Sequence, residues 1–528
     1  MADPACEPLR LTWAQPEDLI GHELRQAAED GRDPAPALRA WIAAGGHPAP
    51  DRAGASPAPA PPELRALADR LLDALATLPA PPGADSPQSW EAIRATWPPA
   101  EAAPSAVDTD HAPPPAAETP LRPARAAHPL PPADAPHPAA RQAPDPPPPA
   151  GQQPPRHVAG AGDAVPARAA EPARADPPLR TRLEAAWLGR AVGCVLGKPV
   201  EKLPLEGIRA LARAAGNWPL NDWFSERGVP PEVLAAYPWN RRSALTSLAE
   251  NIDGTPEDDD LNYPLLGLLL LQRHGKAFTT ADVARLWLDE LPAGRTFTAE
   301  RIAYRNLLLG LEPPATATHR NPFREWIGAL IRADVHGWTN PGDPAAAAAQ
   351  AYRDAALTHT GNGIYAALFV AAATATAATG RADVHTVLRA GLAVVPPRSR
   401  LAEAVRRGIR TAGQEADFDR VVDRLHARYG HYHWVHAVPN TALIAAALTH
   451  ADGDFTQSVC RAVSGGWDTD SNGATAGALA GLLAGSADNI PHRWTAPLKN
   501  RLATTVPGFD GIGFDTLAHL TAQEAARS

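Results

Sequence analysis

Proline sets the first limit on what this chain can fold into. Its 59 prolines crowd residues 98–178, in runs such as APDPPPPAGQQPP. A stretch this poor in aliphatic side chains cannot bury enough surface to offset the entropy lost on ordering. It reads as a disordered or partly polyproline linker. The linker leaves a segment of residues 1–97 and a domain-sized segment of 179–528.

The first segment carries helical patterns. Leu19, Ile20, Leu24 and Ala27 keep helical spacing behind Pro16 and Glu17, a proline and an acid that suit a first turn. Similar patterns cover 35–44, 62–78 and 89–97. This predicts a small helical module whose plainest use is to dock an unknown protein partner.

From 179 onward the texture changes to long Ala- and Leu-rich segments broken by Gly and Pro. The first is 179–197, in which Leu183, Ala186, Trp187, Arg190 and Ala191 keep a 3.6-residue period. Gly189, Gly193 and Gly197 there permit close helix approach. Further helices are predicted at 261–273, 281–290, 299–310, 344–358, 363–379, 399–412, 417–429, 440–450 and 472–485. Strand-length Val/Ile runs do not alternate with helices, which argues against a doubly wound sheet. The expected fold class is all-α.

Charge excludes some functions. The net charge of −9 comes without a basic stripe, so no nucleic-acid face is expected. Cys6, Cys194 and Cys460 are far apart and form neither a disulfide framework nor a zinc pattern. The first residues lack a signal-peptide pattern, and no apolar run is long enough to span a membrane. A cytoplasmic protein is expected, and the Ala-, Pro- and Arg-rich, Lys- and Met-poor composition suggests a GC-rich bacterial genome.

Acidic residues are concentrated at two places, each opening a predicted helix. Glu257-Asp258-Asp259-Asp260 precedes residues 261–271, which are apolar nearly all round and so imply a buried helix. Solvation and the helix N-terminus would be the plain way to offset four adjacent carboxylates. The second corner, Ser464-Gly465-Gly466-Trp467-Asp468-Thr469-Asp470-Ser471, precedes a helix of small residues. An N-cap with a glycine turn is its plain reading. Two Asp-rich helix mouths with few basic residues beside them instead suit a shared site for hard divalent cations such as magnesium or manganese. Glu201, after Gly197-Lys198-Pro199, sits on an irregular connection and is by itself an ordinary surface glutamate.

The order of these motifs resembles the ADP-ribosylglycohydrolase superfamily over about residues 179–510. VSGGWDTDSNGATAGALAG is its strongest part, followed by Gly193–Glu201 and Pro256–Asp260. The resemblance implies an orthogonal multi-helix bundle that holds two magnesium ions, with manganese as an alternative. It also implies hydrolysis of the glycosidic bond of an ADP-ribosyl group. On it Asp258, Asp259, Asp468, Asp470 and Ser471 match metal ligands, and Glu201 matches a glutamate near the reaction centre. Arg332 and His359, the latter in LTHTGNG with Asn362, fall on substrate-cleft segments. The chain departs from the pattern at Glu257 and Asp260, where threonines flank the family's Asp pair, at Trp467 in place of glycine, and at Cys194 where Asp is frequent. Glu257 still offers a carboxylate oxygen, and Trp467 can stack on a base or pack in the core.

Glycosidic cleavage develops an oxocarbenium-like centre. Cations can orient the ribose or diphosphate and activate water, while a carboxylate acts as acid or base. Glu201, Asp259 and Asp470 are the candidate catalytic residues. The expected partner is an ADP-ribosylated protein or an ADP-ribose-like small molecule. An N-glycosidase of a free nucleotide metabolite and a non-catalytic ADP-ribose-binding scaffold are the competing readings.

Overall fold

A computed structural model of the protein describes residues 14–49, 59–79, 86–98 and 178–527. Twenty-three α-helices and short 3-10 turns build these residues, with isolated bridges and no strand among them. The all-α expectation is met. The predicted 98–178 linker lies outside the described residues apart from its two ends.

Most helices fall where apolar periodicity puts them. The first long one is Leu179–Gly197, and the acidic corners open Asp259–His274 and Thr469–Ala484. Leu205–Ala214, Val384–Ala393, Phe455–Ser464 and Phe514–Ala526 are helices that the sequence reading did not place. In Val384–Ala393 the β-branched residues and short length blur the helical signal, and packing of Val384, Val387 and Leu388 decides it.

Four helices are buried nearly all round: Leu179–Gly197, Gly361–Ala377, Ala437–Ala451 and Thr469–Ala484. Alanine and glycine dominate the last three, so no polar stripe is available and the interior is their only stable place. Their small side chains let the backbones approach. The closest approach joins Leu179–Gly197 to Thr469–Ala484, which run antiparallel. A Cβ on Gly189 would lie 2.1 Å from the Gly477 carbonyl oxygen, and one on Gly193 1.8 Å from that of Gly473. One on Gly197 would lie 2.3 Å from the Thr469 oxygen, and one on Gly481 2.1 Å from that of Ala185. Real Cβ atoms do not tolerate such distances, so the pair exists only because glycine recurs every fourth residue on both faces.

The N-terminal helices belong to the same compact unit as the 178–527 body. Leu19, Ile20, Leu24 and Ala27 of Pro16–Glu29 are buried, as the periodicity predicts, together with the polar His22, Glu23 and Gln26. Glu23 and Asp30 bind Arg324 at 2.7 and 2.6 Å, and Gln26 donates to Glu325 at 3.2 Å. Further along, Tyr365 donates to the Pro87 carbonyl at 2.6 Å, and Gly361 N donates to the Gln88 side chain at 3.0 Å. Trp97 donates to the Val394 carbonyl at 2.9 Å.

Two outcomes follow from this packing. Gly193→Ala should lose about 1–3 kcal/mol or more in a denaturant melt, because its Cβ meets rigid backbone. Gly413→Ala should instead gain about 0.5–1 kcal/mol, since its Cβ meets nothing within 4 Å. The second outcome concerns His22, whose imidazole is buried with neither nitrogen hydrogen-bonded. Burial first, and then Arg25, lowers its pKa from 6.5 to about 3. The native ring therefore stays neutral while the unfolded ring takes a proton, so stability is intact above pH 6.5 and falls as pH drops towards 3. Between pH 7 and 5 the wild type should lose roughly 2 kcal/mol more than His22→Leu, read as the difference between their denaturation midpoints.

A candidate metal and catalytic centre

The glycine contact fixes what meets at its end. Gly197 closes its helix against the first turn of Thr469–Ala484, where Thr469 Oγ1 donates to the Gly197 carbonyl at 2.8 Å. Lys198, Pro199 and Val200 form a short 3-10 turn, and Glu201 follows with φ −52° and ψ 134°. Glu201 thereby meets Asp468 and Asp470, and oxygens of the three carboxylates lie within 4.8 Å of one another. Two residues flanking this group hold left-handed backbones, Lys202 at φ 70° and Trp467 at φ 55°. Non-glycine residues occupy that region at a cost of about 1–3 kcal/mol, and such strain clusters at functional sites.

A second group forms beside the first. Cys194 Sγ and carboxylate oxygens of Asp258 and Asp260 also lie within 4.8 Å of one another. Asp258 is the N-cap of Asp259–His274 and accepts from Asp260 N at 3.0 Å. Ser471 Oγ donates to Asp260 Oδ2 at 3.1 Å and so ties the two groups together. Asp259 adjoins both, since Asp258, Asp260 and Asp470 all act on its carboxyl.

Arg190 supports the second group through a feature of the backbone. Pro264 lies inside the helix and has no N–H to offer the Asp260 carbonyl four residues earlier. Arg190 Nε takes that carbonyl at 2.7 Å, while its other nitrogens bind Asp334 and the Ile331 carbonyl. The guanidinium is wholly buried.

Electrostatics show what the site lacks. Burial first, and then the neighbouring carboxylates, push Asp259, Asp260 and Asp468 well above the usual carboxyl range. Burial and then Glu201 and Asp258 bring Asp470 to about 7. Asp258 moves the other way, because the Lys198 ammonium bonded to it outweighs the effect of burial. Lys198, Lys202 and Arg190 do not balance the six carboxylates of Glu201, Asp258, Asp259, Asp260, Asp468 and Asp470. Burial keeps the Cys194 thiol protonated and a poor ligand, and the remaining donors, carboxylates and a hydroxyl, are what hard divalent cations take, so these residues fit such ions.

The remaining sequence candidates lie elsewhere. Glu257 stands outside both groups, accepting from Asn262 at 2.8 Å and Arg295 at 3.0 Å. Trp467 stacks on His426, with centroids 3.9 Å apart and planes 4° from parallel, and is almost wholly buried. Arg332 spends its donors on Glu300, Asp354, Thr358 and the carbonyls of Gly328 and Asp354 at 2.7–3.2 Å. His359 is buried with Nδ1 2.6 Å from Thr358 Oγ1. Asn362 bonds Glu325 at 2.8 Å and accepts from Leu401 N at 3.0 Å. These three form a buried network around Glu300, Glu325 and Asp354. Asp260, Lys198, Arg190 and Asn440 join the site without having been singled out for it. Asn440 accepts from Asp468 N at 3.1 Å and from Asn472 at 2.7 Å.

No helix of the described residues is long and apolar enough to cross a membrane. An uncharacterized protein of Archaeoglobus fulgidus is 27% identical over 318 residues, 60% of this chain and 90% of that protein. A solved chain described as an ADP-ribosylglycohydrolase-related protein complex is 21% identical, covering 66% of this chain and 99% of its own, with a TM-score of 0.40. The sequence matches the ADP-ribosylglycohydrolase description over residues 175–525, and by that extent the chain belongs to the ADP-ribosylglycohydrolase family.

Proposed function

We propose that the protein cleaves the glycosidic bond of an ADP-ribosyl group, using divalent cations held by Asp258, Asp259, Asp260, Asp468, Asp470 and Ser471. Magnesium fits this oxygen-rich set, and manganese can replace it. The observation that carries the reading is the pair of buried acidic groups joined by the Ser471–Asp260 hydrogen bond. Cations bound there neutralise the carboxylates, polarise ribose hydroxyls and lower the pKa of water.

The chain's own residues supply the rest. Glu201 reaches solvent, with its side chain 17% exposed against 9% for Asp258. Lys202 at 2.7 Å and Asn240 at 2.9 Å fix its orientation. Held in this way, Glu201 takes the proton of the attacking water or returns one to the departing group. Positive charge that grows at the anomeric carbon meets fixed carboxylates that need not reorganise. The Trp467–His426 stack pins the backbone immediately before Asp468. An ADP-ribosylated protein side chain is the proposed substrate, because the partly exposed Glu201 gives the leaving group room.

Two measurements test this. In thermal melts, magnesium or manganese should stabilise the wild type by about 2.7 kcal/mol at a hundredfold excess over Kd. Asp470→Asn should show little of that gain. In hydrolysis of an ADP-ribosyl-arginine peptide, chelator should stop the release of ADP-ribose, and Glu201→Gln should slow it about 10²–10⁴-fold. Full release in the presence of chelator, or by Asp470→Asn, would sink the mechanism.

A further inference from the structure

The N-terminal segment lies outside the 175–525 family match, yet its first helix meets His433 and His436 of the loop that leads to Asn440. We propose that Glu29 is a positioning residue of that centre, through which Pro16–Glu29 braces the 431–440 segment that holds Asp468. The inference rests on the reading that Asp468 binds a divalent cation.

The connection runs through His436, whose side chain is wholly buried. Its Nδ1 accepts from Val438 N at 3.1 Å, so the ring proton sits on Nε2. That nitrogen faces Glu29 Oε2 at 3.4 Å and Glu325 Oε2 at 3.7 Å without a hydrogen bond to either, so the two carboxylates act on it by charge and proximity. The His436 carbonyl accepts from Asn440 Nδ2 at 2.9 Å, and the Trp434 carbonyl accepts from the same nitrogen at 2.8 Å. The other end of the Asn440 amide takes Asp468 N and Asn472 Nδ2. A single side-chain amide therefore couples the loop that Glu29 touches to the residue that opens the Thr469–Ala484 helix.

A second contact points the same way. His433, in the same loop, stacks on Trp326 with centroids 4.2 Å apart and planes 12° from parallel. His22 meets both rings edge-on, at 5.8 and 5.6 Å. The Glu23–Arg324 pair and the Gln26–Glu325 bond hold the helix in register for these contacts. A helix that only covered apolar surface would not need His22, Glu23, Gln26 and Glu29 all directed at one strip of the body. Groups that hold a metal ligand from behind commonly change metal affinity 10–100-fold when removed. One step further out, about three- to tenfold is expected.

The test uses the full-length chain, with Mn²⁺ affinity read by electron paramagnetic resonance and the thermal midpoint measured in parallel without metal. Glu29→Ala should weaken Mn²⁺ binding about three- to tenfold. Glu29→Gln keeps the length of the side chain and an oxygen facing His436 Nε2, and should stay within about twofold. If Glu29→Ala does not fold, Glu29→Asp, one methylene short of His436, should weaken binding in the same direction. A lower midpoint with unchanged Mn²⁺ affinity in Ala and Asp variants would overturn the proposal, because the helix would then be structural only. Tighter binding would overturn it too, by showing the helix to be a plug. Failure of the wild type to bind Mn²⁺ would instead remove the metal reading and this inference with it.

Discussion

Everything at the centre hangs on one backbone contact. Gly189, Gly193 and Gly197 on one helix face Gly477, Gly473 and the first turn of Thr469–Ala484 on the other. With side chains at those positions the axes would separate. Glu201, which follows the first helix, would then leave Asp468 and Asp470, which begin the second. The contact thus sets the spacing of groups that come from residues more than 250 apart in the chain. Dispersion and close packing hold such an interface, and close-packed interiors do not deform gradually. The acidic centre inherits that rigidity.

Rigidity is what allows so many carboxylates to be buried together. Left mobile, they would spread towards water; held in place, burial first and then one another's charge raise their pKa values. The protein offsets part of this charge itself. Lys198 pairs with Asp258, and Arg190 reaches the carbonyl that Pro264 leaves without a backbone donor. Proline inside a helix is ordinarily a defect. Here the missing N–H opens an acceptor for a buried guanidinium, which anchors the helix that carries Asp258, Asp259 and Asp260. The charge left over is the kind that divalent cations neutralise.

Much of this could be read from residues alone. Apolar periodicity located most helices because a buried helix needs a repeating face, and the glycine spacing of 189, 193 and 197 announced the close contact. The Asp-rich corners stood out because four adjacent carboxylates need a physical offset. Register within a corner was harder to read. Glu257 and Asp260 are separated by less than one helical turn, and which of them points inward depends on where the helix starts. Asp258 as N-cap turns Asp260 towards Ser471 and leaves Glu257 with Asn262 and Arg295. Arg332 and His359 show a related limit. An arginine or histidine on a segment expected near a cleft looks the same in sequence whether it faces a ligand or a buried network, and Glu300 and Asp354 decide it here.

The placement of the N-terminal helices depends on partners still further away. Glu23 meets Arg324 across 301 positions, and no periodic pattern encodes such a pair. Composition draws a boundary at the proline-rich stretch, but packing does not follow it. The tether itself does not forbid the contact. The entropic cost of closing a connecting segment grows only as the logarithm of its length, about 0.6 kcal/mol for each doubling. Burying a leucine is worth roughly 1.5–3 kcal/mol, and this helix buries Leu19, Ile20 and Leu24. The buried polar residues then determine where it docks. Glu23 without Arg324 would be costly in any other apolar groove. The apolar face makes association favourable, and the polar residues confine it to the strip beside the loop that holds Asp468.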